Sequence, residues 1–468
     1  MPYYRRFTAS IILLVIASLT SCSTAVNHRD EYTVAYRCGH LSLAEKEICK
    51  TITKEMPHGD YRESRDAVWL LLDRATIRFA HGDVTNAIVD YTAAIEAIDF
   101  YGQKEFLEVL GKVAFQDDVE AYRGEAFEQV LARIYFGLAL LHEGDQSNAY
   151  ALLRQAEECQ QQLRERYRQC RMTKNYQLID NALGKYLFAL LCEKRCDVSN
   201  ADILYRQTSK LLNDSKIPIN TTPKSDTTAT VVVISHNGNS PRKITRVTDA
   251  SIASTAALEI LLPHYPYDFA LSSLQGIPTP GLALHPRSSP VPTLASIDAQ
   301  EQELIPFCNV DAMAHQQLQQ QMPLLTARGV ARYLMRRSII AAATDYNPDA
   351  GALADIIMVF ANHCTKADER SWTTLPCRID LARFDITPGK HLLTVDIAPG
   401  SLQERHTQVA LNLQPYDLCV VNVFNLYHGV TAVLVPKRFT QNKEKADENS
   451  KILTIQHYPS RPTARRML

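Results

Sequence analysis

The sequence predicts an α+β protein of several domains: helical hairpins first, then a mostly antiparallel β domain with a helical insertion. Three observations point there. A six-residue string returns three times in the first half, as GDVTNA from Gly82, GDQSNA from Gly144 and CDVSNA from Cys196, each time between apolar runs of helical period. Near Asn213 that period stops, and short β-branched runs separated by turn residues replace it. A chain of 468 residues also exceeds what one compact core usually organises.

At the N-terminus, Arg5 and Arg6 precede FTASIILLVIASLTSCS, a basic stretch followed by a short apolar one and small polar residues. That is a secretory signal pattern, too short for a stable transmembrane helix. Leu19-Thr20-Ser21-Cys22 resembles the bacterial lipoprotein box: an aliphatic residue, two small residues, then cysteine. The resemblance implies removal of residues 1–21 and acylation of Cys22, first on sulfur and then on the new amino terminus. Several acyl chains at one residue exceed what stable anchoring needs. Ser23, in place of aspartate, resembles lipoproteins passed to the outer membrane and facing the periplasm. A plain secretory signal with an incidental cysteine is the alternative.

After residue 25 no apolar run reaches the ~18 residues that a spanning helix requires. A net charge of −1 supplies no field to draw in nucleic acid. Ten cysteines remain besides Cys22, an even number compatible with disulfides in an oxidising compartment but too sparse for a disulfide scaffold. No C-x-x-C pair occurs and the histidines are scattered, so neither a metal site nor a cofactor is expected. Cys192 and Cys196 in CEKRC are the best local candidates for a bridge, with inert thiols as the alternative.

Residues 22–64 read as a tether and an N-terminal helix, and 65–212 as the helical domain. Each copy of the repeated string lies in a helical hairpin turn. Glycine at its first position suits the left-handed cap that ends a helix. Asp83, Asp145 and Asp197 suit the N-cap of the next helix. Cys196 replaces the glycine in the third copy and weakens that cap. Around these turns the pattern resembles the tetratricopeptide repeat (TPR), with Ala87, Tyr91 and Ala94 in one unit and Ala149, Leu153 and Ala156 in the next. Spacings of 62 and 52 residues depart from its period of about 34, so extra segments lie between hairpins.

Residues 213–228 read as a linker and 229–435 as the β domain. ATVVVISHNGNSPRKITRV reads as strand, turn, strand, with Asn237-Gly238 as a hairpin signal. The proline-bearing stretch 276–293 is extended and unsuited to a central strand. Helical pattern returns over 309–343 and 349–364, followed by five further strand patterns and a turn at Pro388-Gly389. NGNSPRK (237–243), ADERSWTTLPCRIDLARFDITPGKH (367–391) and AYRGEAFEQVLARIYFGLALLHEGD (121–145) resemble signatures of a bacterial family of uncharacterised lipoproteins. The resemblance covers roughly residues 65–435. It implies a tethered envelope protein and no mechanism. The tail, 436–468, holds eight Lys/Arg against three Asp/Glu with little apolar periodicity, and reads as disordered.

No residue set forms a catalytic signature. Ser371 lacks a G-x-S-x-G elbow, and no H-E-x-x-H or phosphate-cradling loop occurs. For Asp368–Trp372 the favoured reading is a fixed loop, Trp372 packed in the core and Arg370 paired with a carboxylate. The functional expectation is a lipid-anchored periplasmic adaptor that binds an envelope protein through its helices. A small-ligand sensor or carrier and an envelope hydrolase are the alternatives.

Overall fold

The computed structural model describes residues 24–108, 121–169, 177–212, 228–247, 278–283, 290–322, 367–401, 404–426 and 431–440, with isolated positions at 325 and 344. The stretch expected to be a signal peptide, Cys22, most of the expected linker, the helical patterns beyond 325 and the tail beyond 440 lie outside the described residues.

Among the described residues, eight helices come first. They are α1 (Thr24–Arg37), α2 (Leu41–Glu55), α3 (Ala67–His81), α4 (Val84–Glu108), α5 (Ala126–Glu143), α6 (Gln146–Gln169), α7 (Ala182–Lys194) and α8 (Val198–Leu212). Each packs on the next in an up-and-down array. The stretch expected to be tether therefore begins α1 at Thr24, and α1 and α2 form a hairpin of their own.

The repeated string builds the same turn three times. Asp83 N–H reaches Arg78 O, Asp145 N–H reaches Leu140 O and Asp197 N–H reaches Cys192 O, each at 2.9 Å. These six-to-one bonds need a left-handed residue just before the aspartate. Gly82 and Gly144 supply it at φ 80° and 89°, and Cys196 adopts it at φ 61° despite its Cβ. Ala87, Ala149 and Ala201 are buried where the paired helices meet.

The strands are β1 (Ala229–Asn237), β2 (Arg242–Val247), β3 (Pro278–Ala283), β4 (Thr293–Ile297), β5 (Gln300–Glu303), β6 (Ile305–Asn309), β7 (Arg378–Ile386), β8 (Gly389–Ile397), β9 (Arg405–Leu413), β10 (Leu418–Asn425) and β11 (Thr431–Leu434). A further helix, α9, runs over 310–322. One sheet has the order β11-β10-β1-β7-β6, another β5-β4-β8-β9, and β2 pairs with β3 alone. All pairings are antiparallel except β1 with β10.

The expected β1–β2 hairpin does not form. All nine residues of β1 are buried, and both its edges are taken, by β10 and β7. A continuous apolar strand belongs at a sheet centre covered on both faces, and that burial outweighs the local Asn237-Gly238 turn signal. β2 goes instead to the proline-bearing β3.

Side chains alternate across the five-stranded sheet. Val232 and Ile234 join the core under the helices. Val231 and Val233 join a second core against Leu393, Val395 and Leu411 of the four-stranded sheet. The molecule is thus three layers: helices, mixed sheet, antiparallel sheet. The helical half and the β half share the first core and are not separately cored. α3, α5 and α7 are the buried helices, lying on β11, β10 and β6 respectively. α4, α6 and α8 form the outer row.

Candidate functional site at the helix–sheet junction

The segment 367–377, leading into β7, runs against the inner face of α3 and α5, where apolar helix surface would otherwise meet only the sheet. Trp372 is its anchor. The indole is buried, packs edge-on against Tyr135 at 5.3 Å, and donates Nε1–H to Thr76 Oγ1 and Thr374 Oγ1. Beneath it, Asp73 of α3 is wholly buried and accepts four hydrogen bonds. They come from Tyr32 Oη (2.7 Å), Thr373 Oγ1 (2.8 Å), and Thr374 N–H and Oγ1 (both 2.9 Å). One carboxylate thereby ties α1, α3 and the β7 approach together. Burial pushes the Asp73 carboxyl upward, against the pull of its donors.

Glu128 of α5 has the same role on the neighbouring buried helix. Its Oε1 accepts Trp372 N–H at 2.9 Å, and Oε2 accepts Glu125 N–H at 3.0 Å and the Tyr122 hydroxyl. Burial, then the charge on Glu125, pushes Glu128 up to about 7, while Lys243, Tyr122 and the Trp372 N–H pull the other way. Lys243 of β2 donates to Glu125, as does Gln317 of α9. Burial alone would lower the Lys243 ammonium, but Glu125, Asp368 and Glu128 outweigh it and keep it charged. Arg370 closes the loop with a two-pronged pair to Asp368 at 2.8 and 2.9 Å, reaches Asp66 at 3.4 Å and lies over the Tyr122 ring.

Between these groups opens a cleft lined by Glu125, Phe127, Lys243, Gln317, Ser371 and Trp372, among others. Its empty space is about 380 Å³ counted out to open solvent, of which only about 20 Å³ admits the centre of a water molecule. It is a slot rather than a chamber. Ser371 Oγ is buried on its wall with no hydrogen-bond partner among the described residues. Three stretches distant in sequence (121–145, 237–243 and 367–391) meet here, although about 90 or more residues separate neighbouring ones.

The charged groups of the slot are largely committed to one another. Lys243 is an ammonium paired with Glu125 and cannot take a proton. The Glu128 oxygens are committed to three donors. Ser371 Oγ, without a hydrogen-bond partner among the described residues, lies beside a charged pair and apolar walls and suits a hydrogen-bonding group of small size. Among the described residues no group of three His, Cys, Asp or Glu could hold a metal ion.

The residues singled out from sequence lie elsewhere. Asp83, Asp145 and Asp197 sit in the three turns at the far end of the helical layer. Asp145 and Asp197 accept the backbone N–H of Asn148 and Asn200 at 3.0 and 3.4 Å. All three accept the side-chain amide of the following asparagine, Asn86, Asn148 or Asn200, at 2.6–2.8 Å. That explains the asparagine common to all three copies of the string, which cap reasoning alone missed. Cys192 and Cys196 are free thiols, Cys192 buried in α7 and Cys196 exposed in the turn, so the considered bridge is not formed. Trp372 and Arg370 lie as their loop suggested, one in the core and one on a carboxylate. Asp73 and Glu128 went unremarked in the sequence. Each had a signal, an acid within an otherwise apolar helical stripe. Comparisons of the chain with protein-family models, curated proteins and solved structures return no match.

Proposed function

We propose that the protein is a lipid-anchored binding protein of the bacterial envelope, held through Cys22 and facing the periplasm, whose TPR-like hairpins engage an envelope protein. The outer row of helices carries this reading. α3, α5 and α7 spend their faces on the sheet, and the groove that stacked hairpins usually offer is filled in cis by segment 367–377. The surface left for a partner is the outward side of α4, α6 and α8. α6 buries only Ala149, Leu153, Ala156, Gln160 and Leu163 of its 24 residues, and turns Arg, Glu and Gln side chains outward. Long polar side chains of this kind, Arg above all, suit a polar, non-obligate interface. In-cell crosslinking tests the reading. Crosslinks to one or a few envelope proteins should map to α4, α6 and α8, and a protein that crosslinks to nothing through those helices would overturn it.

The Ser371 slot supports a second reading, carriage of a small polar ligand at the junction. Here Ser371→Ala would abolish ligand binding and leave any crosslinks through the outer helices intact.

A further inference from the structure

Up-and-down packing puts the start of each odd-numbered helix and the end of each even-numbered helix at one end of the layer. Side-chain contacts agree. Tyr101 Oη near the end of α4 donates to Tyr61 O just before α3 at 3.1 Å, and Arg164 near the end of α6 pairs with Asp180 just before α7. The start of α1 belongs to this same end, and Cys22 stands two residues before Thr24. Two residues reach at most about 7 Å. An acyl anchor at Cys22 would hold this end of the layer close to the bilayer.

Its surface chemistry fits that position. Tyr61, Phe100 and Tyr101 form a half-buried aromatic cluster, with ring centroids 5.2–6.5 Å apart. The Arg62 guanidinium lies over two of the rings at 5.2 and 5.4 Å, donates to the Tyr61 hydroxyl at 3.4 Å and keeps a long 3.5 Å contact with Asp60. α4 has 25 residues against 15 in α3, and α6 has 24 against 18 in α5. Both therefore overhang this end, by about 15 Å and about 9 Å at 1.5 Å per residue. The α6 overhang carries exposed Arg166 and Arg168 around half-buried Tyr167. The opposite end differs in kind: it presents the three aspartate-capped turns.

We propose that the end bearing Tyr61, Arg62, Phe100, Tyr101, Arg166 and Tyr167 is a membrane-contact surface. It seats in the interfacial zone of the phospholipid leaflet that holds the Cys22 acyl chains, and so fixes the orientation of the body. The proposal rests on the lipid-anchor reading of Cys22. Aromatic rings with one polar edge settle at headgroup depth, and guanidinium groups reach phosphate oxygens while their stems stay in apolar surroundings. The outer faces of α4, α6 and α8 then stand along the membrane normal, accessible to a periplasmic partner.

Depth-dependent fluorescence quenching tests this on the full acylated protein in vesicles of phosphatidylethanolamine and phosphatidylglycerol, with and without bromine on the acyl chains. Trp69 and Trp372 are both buried and give the baseline. Tyr101→Trp places a reporter at the proposed contact, and Val198→Trp places one on an exposed residue at the opposite end. The expected result is quenching by brominated lipid above the wild-type baseline for Tyr101→Trp, as for rings at headgroup depth, and none beyond baseline for Val198→Trp. The mass of the Cys22 peptide is read from the same sample. Acylated Cys22 with an unquenched Tyr101→Trp, or with equal quenching at both sites, overturns the orientation alone. An unmodified Cys22 overturns the anchor and the orientation with it. Wild-type circular dichroism is the check on folding, and Phe100→Trp replaces Tyr101→Trp if that variant fails it.

Discussion

At the scale of single residues, two buried carboxylates decide how the chain closes on itself. Asp73→Ala would strand Tyr32 Oη, both threonine hydroxyls and the Thr374 N–H in the interior. The expected loss is about 4 kcal/mol, since each orphaned donor costs about 1–3 and neighbours are not additive. Urea denaturation measures it, and a loss below about 1 kcal/mol would mean the cluster holds little. Glu128 gives a pH signature. Its folded value lies near 7 against an ordinary 4.5, so between those values the folded state keeps a proton that the unfolded chain has released. Stability then falls as pH rises through that window and levels off above it. Glu128→Gln should remove up to about 1.4 kcal/mol per pH unit of that slope. An unchanged slope in melts across pH 4.5–7 would show that Glu128 is ionised throughout. Neither residue's role was legible in sequence. Glu128 has Tyr122 and Glu125 close by, and Asp73 has Tyr32 at 41 positions. The partners that join them to the β7 approach, Trp372 and Thr373, lie about 240–300 positions away. The exceptional feature that was legible, an acid in an apolar stripe, says that a partner exists but not which one.

At the scale of elements, the hairpins were the most readable feature, because a turn is decided by its own residues. Glycine, aspartate and a following alanine specify a left-handed stop, a cap and a close approach without help from the rest of the chain. The third turn shows the limit. Cys196 holds φ 61° where a Cβ is unfavourable, so the surrounding bonds impose the conformation. Cys196→Gly should relieve that strain and stabilise the protein by about 1 kcal/mol in thermal melts, and a destabilised variant would mean the thiol makes a contact of greater worth. Strands divide the same way. The alternation of RHTQVALNL marks β9 as one-sided, and its burial alternates accordingly. The unbroken apolar runs of β1 and β10 mark strands covered on both faces. Which strands neighbour them was not legible. Pairing β1 with β10 and β7 joins segments about 140–190 residues apart, and a local Asn-Gly signal cannot compete with burial on that scale.

At the scale of the whole molecule, the helical and β halves behave as one body because polar clamps cross their shared core. Tyr135 of α5 meets His236 of β1 at 2.9 Å, and burial lowers that histidine to about 4, so it stays neutral and stacked on Phe424. Arg383 of β7 takes Glu193 of α7 in two bonds and Tyr205 of α8 in a third. Sequence composition suggested separate domains, since a change of periodicity marks where secondary structure changes and not where a core ends. The same fusion covers the inner helices and leaves the outer row exposed. The proposed function and membrane contact both rest on an acyl anchor at Cys22. The most direct measurement is membrane fractionation of cells expressing the wild-type chain and Cys22→Ser. The account predicts wild type in the membrane fraction and Cys22→Ser released in soluble form. Retention of Cys22→Ser on the membrane, or a soluble wild-type protein, would contradict it.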